Sequence, residues 1–193
     1  METKIDISDI QPDANWLDFY PDAMEEKCPP NCPKPRGSII IMTSYTDVNH
    51  ARNLLTRQSH TGIIHFFNNA PILWYSKRQT TVEASTFRSE FNALRIALDQ
   101  ILAMRQKLRY VEVRVDQPTN VFCDNMSVIL NSSKPESTLK RKHNQICFHR
   151  LRKAVASKII RNGYVDSKDN LVDILTKNLS WASRRRLIYK VLW

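Results

Sequence analysis

The chain has 193 residues, 42% of them hydrophobic and 25% charged, enough for one domain with a proper core and an appended arm. Its 29 Lys and Arg against 19 Asp and Glu give a net charge of +10, which favours a polyanionic partner, most simply nucleic acid. Only three glycines are present, so a glycine-rich phosphate loop is excluded, and no apolar run approaches the roughly 18 residues of a membrane span.

Residues 1–6 are acidic and mixed and do not read as a signal peptide. The four cysteines, Cys28, Cys32, Cys123 and Cys147, are therefore expected as reduced thiols in an intracellular protein. Residues 1–36 hold six of the nine prolines and read as an extended arm. Within it, Trp16, Leu17, Phe19 and Tyr20 make one apolar knot that could dock on the domain. Cys28-Pro-Pro-Asn-Cys32 has half the ligands of a zinc site; without a second close pair it reads as a linker with two thiols.

From residue 37 to residue 193 the pattern is that of a folded domain. Residues 38–47 are apolar on both faces, as in a strand covered on both sides, and end on Asp47. Residues 48–61 are polar and basic, with Arg52, Arg57 and His60, and read as a loop. Residues 62–67 and 72–76 form a hairpin around the turn chemistry of Asn68-Asn69-Ala70-Pro71, closed by a basic tip, Lys77 and Arg78. Residues 81–108 carry the longest helical pattern, with Phe87, Phe91, Leu94, Leu98 and Ile101 on one face. Glu90 borders that stripe, where a charge must be paired, wet or metal-bound.

Residues 119–123 form a strand that ends on Asp124 and turns at once into a short helix. A carboxylate there faces the open end of a sheet, where ligands of open α/β folds bind. Residues 139–156 make a strongly basic helix, including Lys140, Arg141, Lys142, His143, Arg150 and Lys153, which reads as a nucleic-acid face ahead of a merely solvated one. Residues 158–165 are the last strand. A helix starts at residues 167–170 with Asp173 one turn inside it, and an amphipathic helix from residue 181 to 193 bears Arg184, Arg185 and Arg186.

Asp47, Glu90, Asp124 and Asp173 thus come from two strand ends and two helices. Clustered carboxylates repel one another and need a cation to stay ionised. Hard oxygen ligands that leave room for water and phosphate suit Mg²⁺, and two such ions about 4 Å apart activate a water and stabilise the leaving oxygen of a phosphodiester. Acids at element ends are also common as caps and loop residues.

The local motifs resemble one family. They are Thr46-Asp47-Val48-Asn49-His50-Ala51, Arg57-Gln58-Ser59-His60-Thr61-Gly62, Trp74-Tyr75-Ser76-Lys77-Arg78-Gln79, Thr81-Val82-Glu83-Ala84-Ser85-Thr86, Ser89-Glu90-Phe91, Cys123-Asp124-Asn125-Met126-Ser127, Lys142-His143 and Asp169-Asn170-Leu171-Val172-Asp173-Ile174-Leu175-Thr176-Lys177. In this order, over residues 37–179, they are similar to the RNase H domain of copia-type retrotransposon Pol polyproteins. Residues 1–36 resemble the connection from reverse transcriptase. The resemblance implies an α/β, RNase H-like fold, a mixed five-stranded sheet flanked by helices, and cleavage of the RNA strand of an RNA–DNA hybrid. It implies that Asp47 and Asp124 are the main ligands of two Mg²⁺ (or Mn²⁺) ions, that Glu90 binds one ion near the scissile phosphate, and that Asp173 completes the second site. Lys77, Arg78, Lys142 and His143 are candidate contacts to the nucleic-acid backbone; a solvated surface role serves each equally well.

Three positions depart from the family pattern: Arg52 and Arg88 stand where small residues are usual, and Asp166 where proline is common. The implied partners are an RNA–DNA hybrid and the parent polyprotein's reverse transcriptase domain, with no membrane, in the cytoplasm (within a virus-like particle) or the nucleus. A second reading is a catalytically silent, nucleic-acid-binding relic of such an element, favoured by Arg88 and by the shortness of the chain. An integrase- or transposase-type nuclease is a third, and it needs a different spacing of the final acid.

Overall fold

The computed structural model describes residues 16–24, 26, 31–53, 55–137 and 145–192. Two short strands, β1 (Arg36–Ile39) and β5 (Val113–Arg114), pair in parallel as a small separate sheet. The main sheet has five strands: β2 (Met42–Asn49), β3 (His60–Phe67), β4 (Ala70–Arg78), β6 (Thr119–Cys123) and β7 (Ile160–Tyr164), in the order β4-β3-β2-β6-β7. β2, β3 and β4 form an antiparallel meander, and β6 and β7 continue from β2 in parallel. The helices are α1 (Thr86–Tyr110), α2 (Met126–Ser133), α3 (Gln145–Ala156), α4 (Asp173–Thr176) and α5 (Trp181–Leu192). The α/β architecture with a mixed five-stranded sheet is the expected one.

The apolar run of residues 38–47 is not one strand. It breaks at Ile40 and Ile41, so β1 joins β5 and only β2 enters the main sheet. β4 contains Pro71 within its bounds, which a strand tolerates at a sheet edge, and β4 is the edge.

The sheet is covered on both faces. On one, Phe91, Leu94, Leu98 and Ile101 of α1 pack with Val128 and Ile129 of α2 and Phe148 and Leu151 of α3 over Val121, Cys123 and Ile160. On the other, Ile64 and Phe66 pack beneath Leu171, Val172 and Leu187, with Tyr45 and Leu175 at the margin. Burying such side chains contributes roughly 1.5–3 kcal/mol each.

The arm is tied to the domain by named contacts. Trp16 packs against the first core and Tyr20 is buried, while Leu17 and Phe19 stay exposed, so only half of the expected knot docks. The Tyr20 hydroxyl meets His149 Nδ1 at 2.8 Å. Glu26 accepts from Arg105 Nε at 2.8 Å and from Arg109 Nη2 at 2.7 Å, and Arg105 is 3% exposed. The Cys32 thiol donates to the Arg109 carbonyl; Cys28 lies outside the described residues.

Helix α3 commits part of its basic charge to partners within the protein. Arg150 pairs with Asp99 and Lys153 with Asp22. Arg152 is buried, its guanidinium 4.7 Å from the Phe148 ring centroid and donating to Ser137 and Pro135 carbonyls. Arg150 and Lys153 bridge to α1 and to the arm while staying half-exposed, and only Arg152 is withdrawn from the surface. Residues 138–144, with Lys142 and His143, lie outside the described residues.

Candidate functional site

Asp47 lies near the end of β2 and Asp124 directly follows β6. The parallel register pairs Tyr45 with Phe122, so two residues further along both strands the two acids stand side by side. Asn125 then caps α2, its side chain accepting from the Val128 amide. This cap forces the turn immediately after Asp124 and fixes the carboxylate at the sheet edge.

Asp173 arrives from the opposite end of the chain on the single turn of α4. Three interactions place that turn. Asn170, fully buried, donates to the Thr46 carbonyl at 3.0 Å. Asn49 and Arg52 donate to the Thr176 carbonyl at 2.9 and 2.7 Å. Gly62, opposite Asp47 in the β2–β3 ladder, leaves the space the turn occupies: a Cβ there would lie 2.5 Å from Val172 Cγ1 and 2.6 Å from Thr176 Cγ2.

The result is one acidic cluster. Asp47, Asp124 and Asp173 each present a carboxylate oxygen, all within 4.8 Å of one another. Asp47 and Asp173 are buried and Asp124 is partly exposed. The Thr176 hydroxyl donates to Asp47, and the Ser167 hydroxyl donates to Asp124 at 2.8 Å. Asp166, at the position where the resemblance leads one to expect proline, caps the 3-10 turn carrying Ser167 by accepting from the Lys168 amide at 3.0 Å.

Glu90 approaches from α1, in the layer across the sheet from α4. It is 5% exposed and outside the closest group of three. The Val48 amide faces it and favours its charged form, while its Oε2 is buried with no hydrogen-bond partner among the described residues. Ser89 holds this turn of α1 through His50 Nδ1 at 2.7 Å, and Gln79 donates to the Ser89 carbonyl at 3.0 Å. Arg88 sits in the first turn of α1, where a positive charge opposes the helix dipole.

Sequence reasoning missed the centre of the cluster. Lys177 Nζ lies 2.8 Å from Asp173 Oδ1, 3.1 Å from Asp47 Oδ1 and 3.6 Å from Asp124 Oδ2. The residue belongs to the matching motif of residues 169–177, but its i, i+4 spacing from Asp173 was the only local sign of a role.

The electrostatics follow from burial and like charge. Burial raises the Asp47 carboxyl, against the Thr176 hydrogen bond and the Lys177 charge. Burial lifts Asp173 to about 6, opposed by the Lys177 hydrogen bond. Burial, with the charges of Asp47 and Asp124 added, pushes Glu90 well above the usual carboxylate range. Burial works to depress Lys177, yet its hydrogen bond to Asp173 and the charges of Asp47 and Asp173 hold it above the ordinary lysine range. The cluster therefore holds an excess of negative charge that one ammonium only partly offsets.

Of the basic candidates, Lys77 and Arg78 are exposed at the end of β4, and Arg78 lines a pocket with Arg52 and His60.

No protein-family model matches the chain. It is 26% identical over 156 residues to the retrovirus-related Pol polyprotein from transposon RE1 of Arabidopsis thaliana, covering 81% of this chain and 11% of that protein. It is 28% identical over 141 residues to the corresponding polyprotein from transposon TNT 1-94 of Nicotiana tabacum, covering 73% and 10%. The chain thus spans about a tenth of the length of these relatives. Among solved structures, LC11-RNase H1 in complex with an RNA/DNA hybrid superposes with a TM-score of 0.54 at 17% identity, covering 69% of this chain and 92% of that one. The homologues of this chain are Pol polyproteins of plant transposons, and its fold is that of an RNase H domain.

Proposed function

We propose that the protein is a metal-dependent ribonuclease H of a copia-type element, hydrolysing the RNA strand of an RNA–DNA hybrid. The observation that carries this reading is the convergence of Asp47, Asp124 and Asp173 to within 4.8 Å at one end of an RNase H sheet. One solved structure of similar fold, LC11-RNase H1, holds an RNA/DNA hybrid, and the net charge of +10 suits such a polyanion.

The residues fit a hard divalent cation. The donors are all carboxylate oxygens, their mutual repulsion is only partly offset, and Glu90 Oε2 is buried without a partner. Asp47, Asp124 and Asp173 would hold Mg²⁺ or Mn²⁺, with Glu90 serving a second ion. When bound, the metal supplies Lewis-acid activation of water and neutralises the leaving oxygen. The chain's own groups do the positioning. Thr176 orients Asp47, Ser167 orients Asp124, and the docked turn of α4 fixes Asp173 against both. Lys177 keeps the acids together and gives the cluster a cationic group near the attacked phosphate. The parent polyprotein's reverse transcriptase domain would deliver the hybrid, in the cytoplasm or nucleus.

The test is cleavage of an end-labelled RNA–DNA hybrid by the purified chain with Mg²⁺ or Mn²⁺. Cutting of the RNA strand that EDTA and Asp124→Asn both abolish supports the reading; equal cutting by the variant refutes it. Salt-dependent hybrid binding without cleavage under either metal favours the silent-relic reading, which the Lys177 ammonium within the acidic cluster also motivates.

A further inference from the structure

Beside the acidic cluster lies a pocket of about 230 Å³ lined by Arg52, Asn53, Gln58, His60 and Arg78. Three elements build it. Arg52, Asn53 and Gln58 come from the β2–β3 loop, His60 opens β3, and Arg78 closes β4 as the register partner of His60. Two guanidinium groups and an imidazole share it, and none of its lining residues is an acid.

Each basic group is held differently. Arg52 is tethered, donating to the Thr176 carbonyl at 2.7 Å and to Asn178 Oδ1 at 3.2 Å. His60 Nε2 meets Ser76 Oγ at 2.9 Å. Arg78 is exposed and makes no ion pair or side-chain hydrogen bond among the described residues. The local field is positive. Burial, followed by the charges of Arg52 and Arg78, lowers the His60 pKa. Two uncompensated arginines side by side repel one another, and an anion with several oxygens removes that cost while matching the guanidinium fork.

The pocket's position says which anion. Arg52 holds the carbonyl of Thr176, whose hydroxyl donates to Asp47 and whose neighbour Lys177 sits among the three aspartates. A polymer lying across the acidic cluster therefore passes the pocket within a few residues' reach. We propose that Arg52, His60 and Arg78 form a phosphate-binding pocket that grips one phosphodiester group of the polynucleotide held at the carboxylate site. This rests on the nuclease reading above, and it gives Arg52, which departs from the family pattern, a function particular to this chain.

The test compares the whole chain with Arg78→Gln, which removes no side-chain hydrogen bond or ion pair among the described residues, and with Arg52→Gln. An Arg36→Gln variant, at an exposed arginine outside the pocket, serves as control. Fluorescence anisotropy with a labelled RNA–DNA hybrid in EDTA measures affinity from low to moderate salt. Each pocket variant is expected to weaken binding several-fold and to lower the slope of log affinity against log salt by about 1, while Arg36→Gln changes neither. A hybrid series with single uncharged methylphosphonate linkages then locates the contact. One position is expected to weaken the wild type, and the same substitution is expected to have no effect on Arg78→Gln. Wild-type affinity and slope in both pocket variants, or loss equal to that of Arg36→Gln, overturns the pocket and leaves the nuclease reading standing. Absence of hybrid binding by the wild type overturns both.

Discussion

Replacing Lys177 with Met removes the one cation that contacts the acidic cluster among the described residues, while keeping the length of its aliphatic stem. The ammonium contacts three carboxylates at 2.8, 3.1 and 3.6 Å. At an effective dielectric of about 20, each such contact is worth roughly 5 kcal/mol before desolvation is subtracted. Most of that is returned, because ammonium and carboxylates all leave water; breaking a buried pair costs about 3–5 kcal/mol net. The Lys177 side chain is 32% exposed, so screening reduces the expected loss to about 2–3 kcal/mol. For a chain of this size that lowers Tm by roughly 5–10 °C. The variant should also respond more to metal. In the wild type an incoming ion must displace the ammonium, whereas in Lys177→Met it meets uncompensated oxygens. Scanning calorimetry at pH 7.5, first in EDTA and then with graded Mn²⁺, separates the two effects. The expected result is a lower Tm without metal and a larger Mn²⁺-induced rise. An unchanged Tm in EDTA, or a Mn²⁺ shift no larger than that of the wild type, refutes the reasoning.

Gly62→Ala should drive Cβ into Val172 and Thr176, which lie at 2.5 and 2.6 Å; overpacking of this kind costs about 1–3 kcal/mol, and displacement of α4 should reduce hybrid cleavage more than hybrid binding. Glu26→Gln leaves Arg105 buried without its charge partner, so urea denaturation should show a loss of about 2–3 kcal/mol; a loss below about 0.5 kcal/mol would mean the arm contributes no stability through this pair. Without metal, stability should fall as pH rises from about 4 through 6, because Asp173 is raised to about 6, with Glu90 and Asp47 raised as well. The sign follows from the folded state binding more protons than the unfolded state across that window. Asp173→Asn should flatten the decline, and a wild-type curve that rises over the same range contradicts it. Glu26 acts in the opposite direction at lower pH: burial would raise it, but hydrogen bonds from Arg109 and Arg105 hold it below the usual range, so its contribution is lost only as pH falls through that depressed pKa.

The acids were legible in the sequence because each sits at a change of pattern. Asp47 and Asp124 end apolar β-type runs, and Glu90 borders a helical stripe. Their convergence was not legible from spacing alone, since it depends on a parallel register between β2 and β6, more than 70 residues apart. The break at Ile40 and Ile41 was hidden by a continuous apolar run, in which nothing marks where the chain leaves one sheet for another. The internal partners of α3 were not legible because Asp22, Asp99 and Tyr20 belong to distant segments. Lys177 was hidden for the same reason, as two of its three partners come from remote segments, Asp47 on β2 and Asp124 just after β6. Arg52 was visible as an unusual residue, and only the fold supplied its neighbours His60 and Arg78.

α4 is a single turn of four residues, too short to be stable alone. It is helical only while Asn49, Arg52 and the space above Gly62 hold it. The acidic cluster can therefore come apart through a local opening that leaves the sheet and the first core intact and loosens only the margin of the second, where Ile174 and Leu175 pack, and Asp173, Thr176 and Lys177 leave together. Amide hydrogen exchange at residues 175 and 177, whose amides bond to the Val172 and Asp173 carbonyls, reads that opening directly. Any ligand that binds the assembled cluster slows exchange there first, whatever the rate at which the rest of the protein unfolds.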